Sequence, residues 1–295
     1  MRIFNILLFL TILSCSENRT DFEKYNELDQ KAMVQFKDME FEKALTNFEK
    51  AIGLKPAQDV SIYFYATASA LNAKKYDKAR ELLIASIHNT NTSKDYFLNF
   101  DEFDKFREEK LFSEIDKDYE KHIAEFYKKL EHPEIYREVD SLMEIDQEYR
   151  TNGSEWKEIS KIDSLNIKRL IEITKKYGWQ KKGWLVLWHQ RGTYGKDNYV
   201  WNFFKPYIDE QIKNDKINKD FWVMFEEERS IVEKKEQIYG MYWNQFDEYP
   251  IIDIENVDKR RAEFDVPPLW YMEKVYGIEL PAEYKKTVAN NVYKK

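Results

Sequence analysis

Phe41-Glu42-Lys43-Ala44-Leu45-Thr46-Asn47-Phe48-Glu49-Lys50-Ala51, with Pro56 after it, is the stretch on which the fold turns. Phe41, Ala44, Phe48 and Ala51 recur at helical spacing and share one face. Alanine at a helix crossing lets two backbones approach closely, and proline stops a helix. Ala32 supplies the small residue that the preceding helix needs. The pattern then returns. Ala66 and Ala70 serve a further helix, Tyr76 and Ala79 open the one after it, and Leu83 continues that helix. The interval from Ala44 to Ala79 is close to the roughly 34 residues of a two-helix repeat.

Over residues 22–90 this spacing resembles the tetratricopeptide repeat. The resemblance implies stacked helical hairpins that form a docking surface for protein partners. After the polar break at His88-Asn89-Thr90-Asn91-Thr92, the residues Asp101, Phe103, Phe106 and Phe112 form another apolar-periodic stretch suited to capping the stack. Two units are fewer than the three a free-standing array needs, so residues 22–117 are expected to dock on the C-terminal part of the chain.

Upstream, Arg2 precedes an almost wholly apolar run, residues 3–13, interrupted only by Asn5 and Thr11. That run is too short for a spanning helix, which needs about 20 residues, and suits a secretory leader. Ile12-Leu13-Ser14-Cys15 resembles a bacterial lipobox. It implies a signal peptide over residues 1–14, a diacylglycerol on Cys15 and a tether over residues 15–21. The address is then the cell envelope, on the outer membrane, with the bilayer reached through the lipid. Cys15 is the single cysteine, so disulfides and thiol chemistry are excluded once it is acylated. The net charge of −7, with Lys and Arg interleaved among Asp and Glu, argues against nucleic acid. The aromatic share of 16% predicts a core built on rings.

Residues 118–295 are expected to form a helical domain with a small β-hairpin, making the whole chain mainly α. Pro133 suits the first position of a helix carrying Ile135, Val139, Leu142 and Tyr149 on one stripe. Asn152-Gly153 breaks that helix, and Ser154 is a candidate cap for the next. The next helix carries Ile162, Leu170, Ile173 and Tyr177 up to Gly178. The apolar run 183–190 is assigned to helix and closed by His189. Asp220 is a candidate cap for a helix whose stripe holds Phe221, Phe225 and Val232. Residues 236–254 alternate enough, around a polar middle, to predict the hairpin. Ile254, Val257 and Phe264 mark a last short face before Pro267-Pro268.

Polar residues interrupt these stripes. Asp146, Asn166, Glu228 and Arg261 each fall near the centre of an apolar face, on four different helices. Unpaired buried charge is costly, so the four are expected to converge on one internal cluster. Arg261 is the natural partner of a carboxylate there, Arg150 and Arg229 complete the neutralisation, and His189 and Tyr239 lie at the edge. A catalytic use would make Asp146 or Glu228 a general base, His189 an acid or base and Arg261 an anion clamp. A structural use would make the same residues pin helix register. No pair of histidines has zinc-ligand spacing, and no phosphate loop or nucleophile elbow is present, so neither metal nor cofactor is expected.

Asp146-Gln147-x-Tyr149-Arg150, Asp163-x-x-Asn166, His189, Arg229, Gln237-x-Tyr239-Gly240, Pro250-Ile251 and Val257-Asp258-x-x-Arg261 also resemble the signature of a domain family. That family is common in Bacteroidota and other bacterial envelope proteins, often after tetratricopeptide-like helices, and carries no assigned activity. The resemblance spans about residues 118–280 and adds Gln237 and Asp258 to the candidate set. The chain departs from the family at Trp188-His189-Gln190-Arg191, Glu228-Arg229 and Met241-Tyr242. Together these features predict an envelope lipoprotein that binds or scaffolds proteins through its repeats. A hydrolase of an envelope substrate using Asp146, Glu228 and His189 is the alternative. A toxin-neutralising immunity or defence protein is a further one.

Overall fold

Thr20 begins the folded part by capping. In the computed structural model, which describes residues 19–55 and 59–286, its hydroxyl accepts from the Glu23 amide while the Glu23 carboxylate accepts from the Thr20 amide. The helix so opened, α1 (Asp21–Lys37), pairs with α2 (Phe41–Leu54), and α3 (Val60–Asn72) pairs with α4 (Tyr76–Thr90). The two turns match bond for bond. Met39 and Lys74 both take left-handed backbone. The Glu40 amide donates to Gln35 as the Lys75 amide does to Ala70. Ala32, Ala44, Ala51, Ala66, Ala70 and Ala79 are all completely buried, so the small residues occupy the crossings as their spacing predicts. Cys15, the residues 1–14 expected to form a leader, and Pro56 lie outside the described residues.

Helices α5 (Lys94–Leu98), α6 (Lys110–Lys117) and α7 (Tyr119–Lys129) come after them, with a 3-10 turn at Asp101–Phe106. Phe103 and Phe112 pack against each other under the second hairpin. A long antiparallel pair comes next, α8 (Pro133–Thr151) and α9 (Trp156–Tyr177). Pro133 starts α8 as predicted, and Gly178 ends α9 at φ +84°. The cap of α9 is Glu155 rather than Ser154, and it makes no side-chain bond. The apolar run 183–190 contains the single-turn α10 (Trp184–Trp188). Then come α11 (Tyr199–Lys213), α12 (Val223–Lys234), α13 (Val257–Glu263) and α14 (Leu269–Tyr276). The chain is mainly α, and no described helix is long and apolar enough to cross a membrane.

The predicted β-hairpin does not form. Within residues 236–254 the only pairing described is an isolated parallel bridge between Gln237 and Ile251. The cause is a carboxylate. Glu227 reaches out of α12 and accepts from the amides of Ile238, Tyr239 and Met241, so donors that a ladder would use bind a side chain instead. Gly240 makes the bend at φ +67°, where a Cβ would come within 2.7 Å of Ile251.

The largest apolar core crosses the boundary between the two regions. Phe36, Phe48, Phe64 and Leu71 of the hairpins share it with Val257 of α13 and with Leu269, Tyr271, Met272 and Val275 of α14. The hairpins therefore dock on the C-terminal region, as their small number requires. A second core, rich in rings, surrounds Phe225 with Trp201, Trp222 and Tyr194.

Candidate functional site

The single cluster expected from the sequence divides into two networks with no shared partner among the described residues. The first joins α8, α9 and the residue after α10. Asp146 is 1% exposed. Its Oδ1 accepts from His189 Nδ1 at 2.9 Å and lies 3.3 Å from Arg150 Nη1, while its Oδ2 accepts from Gln147 at 2.7 Å. Arg150 bridges to Asp163 at 2.7 Å. Burial opposes charge on Asp146, but the His189 bond, its charge and Arg150 hold the carboxyl below the ordinary aspartate range. Burial raises Asp163, against Arg150. Asn166 donates to the Leu142 carbonyl at 3.0 Å and fixes α9 against α8.

Asp146, Asp163 and His189 each offer an atom within 4.8 Å of the others, which is the reach of a metal centre. Arg150 already supplies a cation to both carboxylates, however. The arrangement is an ion-pair network centred on Arg150, whose buried Nη1 completes no hydrogen bond, with the imidazole held by a carboxylate through Nδ1.

The second network is built on Glu227 and Arg261. Glu227 is fully buried, whereas the predicted Glu228 is half-buried and takes the Tyr242 hydroxyl and Arg191. The inward face of α12 thus lies one residue from the expected phase. Val223, Glu227 and Ile231 form the inward stripe, and Val232, assigned to it from the sequence, is 62% exposed. Burial pushes the Glu227 carboxyl up, against the three amides and Arg261. Arg261, 1% exposed, pairs directly with no carboxylate among the described residues, contrary to expectation. Its guanidinium donates to the carbonyls of Pro267 and Tyr239. Burial pulls it down to about 10, with Asp258 and Glu227 opposing. Gln237 is fully buried and closes the same loop through Tyr242 and Tyr249. Asp258 accepts from the Leu269 amide at 2.7 Å and the Tyr284 hydroxyl at 2.6 Å.

Tyr239 packs edge-on against Phe264 in this second group, so it is not at the edge of the Asp146 network. Arg229 belongs to neither network, being paired with Glu226 and lying over the Tyr194 ring. Sequence reasoning left Asp163 and Glu227 out of the candidate set. Asp163 sits one turn before Asn166, and Glu227 sits between buried residues at i−4 and i+4, so both carried a periodic signal.

The cavities lie elsewhere. One, about 820 Å³, runs along α1 past Glu23, Glu27 and Lys31 to Trp270 and Tyr271 of α14. Another, about 540 Å³, lies between Trp179 and Met241, and a third, about 680 Å³, between Asn89 and Lys182. A smaller one of about 270 Å³ lies where α1 meets α13 and α14. Asp146, His189 and Glu228 line none of these. No family model, curated protein or solved structure matches this chain.

Proposed function

We propose that the chain is an envelope lipoprotein, held on the outer membrane by acyl chains on Cys15, that binds or scaffolds other proteins through its tetratricopeptide-like hairpins. One observation carries the choice of binding over hydrolysis. Asp146 is sealed and bonded by His189 and Gln147, Glu228 is bonded by Tyr242 and Arg191, and Asp146, His189 and Glu228 line none of the cavities described above, while a long groove follows α1 beside the exposed Trp270. A general base needs a free approach to the substrate proton. A docking helix or peptide needs an open channel with an aromatic anchor and a charged rim.

Two measurements test this reading. Cys15→Ser is expected to abolish labelling by a fatty-acid probe and to release the chain from the membrane fraction; retention in that fraction would reject the anchor. Trp270→Ala combined with Lys31→Glu is expected to lose, at least tenfold, a partner crosslinked to the wild-type protein in its own envelope. Undiminished capture would reject the groove.

A further inference from the structure

Half of the histidines in this chain meet at one point. The sequence holds four. Two of them, His88 on α4 and His122 on α7, bring Nε2 and Nδ1 to 3.2 Å from each other. The ring centroids lie 5.3 Å apart with the planes inclined at 45°. Spacing along the sequence does not show the pair, because 34 residues separate the two and only the packing of α7 on α4 joins them.

Two imidazoles at this distance either share a single N–H···N bond or stand as a pair of metal ligands. Zinc–nitrogen bonds of about 2.0–2.1 Å at the tetrahedral angle place two ligand nitrogens about 3.3 Å apart. The separation found here is close to that value, so the helices hold the two nitrogens where an ion needs them. Both rings are partly buried. Burial holds His88 below the usual histidine range, with His122 and Lys129 adding to the effect against Glu125. Burial holds His122 down as well, with Arg80 and Lys121 adding to the effect against Asp118. The neutral ring is the form that binds a metal.

The cations nearby are engaged elsewhere. Arg80 pairs with Glu114, Lys121 with Asp118 at 2.6 Å, and Lys129 donates to Asn89 Oδ1 at 3.0 Å. This differs from the Asp146 cluster, where Arg150 already stands between the two carboxylates.

An anionic ligand is close at hand. Glu125 comes three residues after His122 on α7, which sets the two side by side on the helix surface, and its charge acts on His88. The Glu125 carboxylate is bonded to Lys128 at 2.5 Å, in a pair whose side chains are 48% and 69% exposed. An ion pair so exposed holds its members weakly, so the carboxylate can turn to a divalent ion. Two imidazoles and one carboxylate form a zinc-binding set that keeps the fourth position open.

We propose that His88 Nε2, His122 Nδ1 and the Glu125 carboxylate bind one Zn2+ ion, with water in the fourth position. The ion pins α7, which leads into the C-terminal region, to α4 of the second hairpin. The inference does not depend on the docking groove or on the lipid anchor.

The test is titration of the full chain, first stripped with a chelator, with Zn2+, Mg2+ and Co2+. One equivalent of Zn2+ is expected to bind and to raise the melting temperature by a few degrees. Mg2+, which takes oxygen ligands, is expected to do neither at the same concentration. Co2+ is expected to give the intense visible absorption of a tetrahedral site, and Zn2+ to bleach it. His88→Gln and His122→Gln are each expected to weaken Zn2+ at least tenfold, and Glu125→Gln about threefold. His189→Asn removes the imidazole of the Asp146 cluster and is expected to leave stoichiometry and affinity unchanged. No Zn2+ binding by the wild-type chain, or full affinity in both His88→Gln and His122→Gln, would overturn the site. So would loss of binding in His189→Asn, which would move the ion to Asp146. Unchanged affinity in Glu125→Gln would overturn the third ligand. The Co2+ spectrum is read on the wild-type chain, so an octahedral spectrum rejects the proposal even where a variant fails to fold.

Discussion

At the residue scale, the difference between Glu227 and Glu228 decides how the C-terminal region is held. The two are adjacent on α12, yet one is sealed under the 238–241 loop and the other takes a tyrosine hydroxyl and an arginine near the surface. Glu227→Gln leaves one oxygen to serve amides that two oxygens now serve, and turns an NH2 group towards N–H donors. Stranding buried donors costs about 1–3 kcal/mol each. We expect Glu227→Gln to lower stability by about 3 kcal/mol and Glu228→Gln by at most about 1 kcal/mol. Urea midpoints of the two variants check this, and equal shifts would defeat it. The same pair shows where sequence reading stops. In a run of three glutamates the helical period tolerates a phase error of one residue. Only the neighbours Val223 and Ile231, buried four positions away on each side, point to the middle one. Asp146 was legible because it interrupts a clean apolar stripe, and Arg261, although it follows Lys259 and Arg260, because Val257 and Phe264 fix the face it falls on.

At the scale of elements, the hairpins were legible because alanine at a crossing has a fixed spacing, and the loop at 236–254 was not. Alternation predicts a strand pair only if the backbone pairs with itself, and here a side chain from another helix captures the amides. A second element-level contact has a pH dependence. His88 of α4 and His122 of α7 lie 3.2 Å apart, Nε2 to Nδ1, so at least one ring must be neutral. Burial depresses both. Neighbouring charge from Lys129 acts against protonation of His88, and charge from Arg80 and Lys121 against that of His122, while Glu125 and Asp118 favour it. A histidine with a folded pKa under its unfolded value contributes fully above that unfolded value, near 6.5, and its contribution is lost as pH falls through that value towards the folded one. Wild-type stability is therefore expected to fall between about pH 7 and pH 5. The double variant His88→Leu with His122→Leu is expected to fall less over the same interval. Chemical unfolding at each pH measures both, and parallel curves would show that the pair does not titrate as described.

At the scale of the whole molecule, the two hairpins and the C-terminal region share one core, which predicts a single folding unit. α14 supplies Leu269, Tyr271, Met272 and Val275 to the same core as Phe36 and Phe64. Polar contacts converge on the same seam. The Asp215 carboxylate accepts from the Asp21 and Phe22 amides at the start of α1 and from Lys55 just after α2. Asn26 bonds Asn218, and Gln30 donates to the Asp265 carbonyl. A fragment of residues 19–117 would keep its crossing alanines and its repeated turns but lose that cover. Each large side chain returned to water forfeits about 1.5–3 kcal/mol, against a total domain stability of about 5–15 kcal/mol. With four such residues removed at α14 alone, the fragment is expected to keep helical circular dichroism, melt without a sharp transition and bind a hydrophobic dye. The full chain is expected to melt in one cooperative step. Asp215→Ala in the full chain separates cover from capping, since it removes the bonds to α1 and Lys55 while leaving α14 in place. It is expected to lower the single transition by a few degrees without splitting it. A fragment that melts as sharply as the full chain, with no dye binding, would show that the hairpins carry their own core.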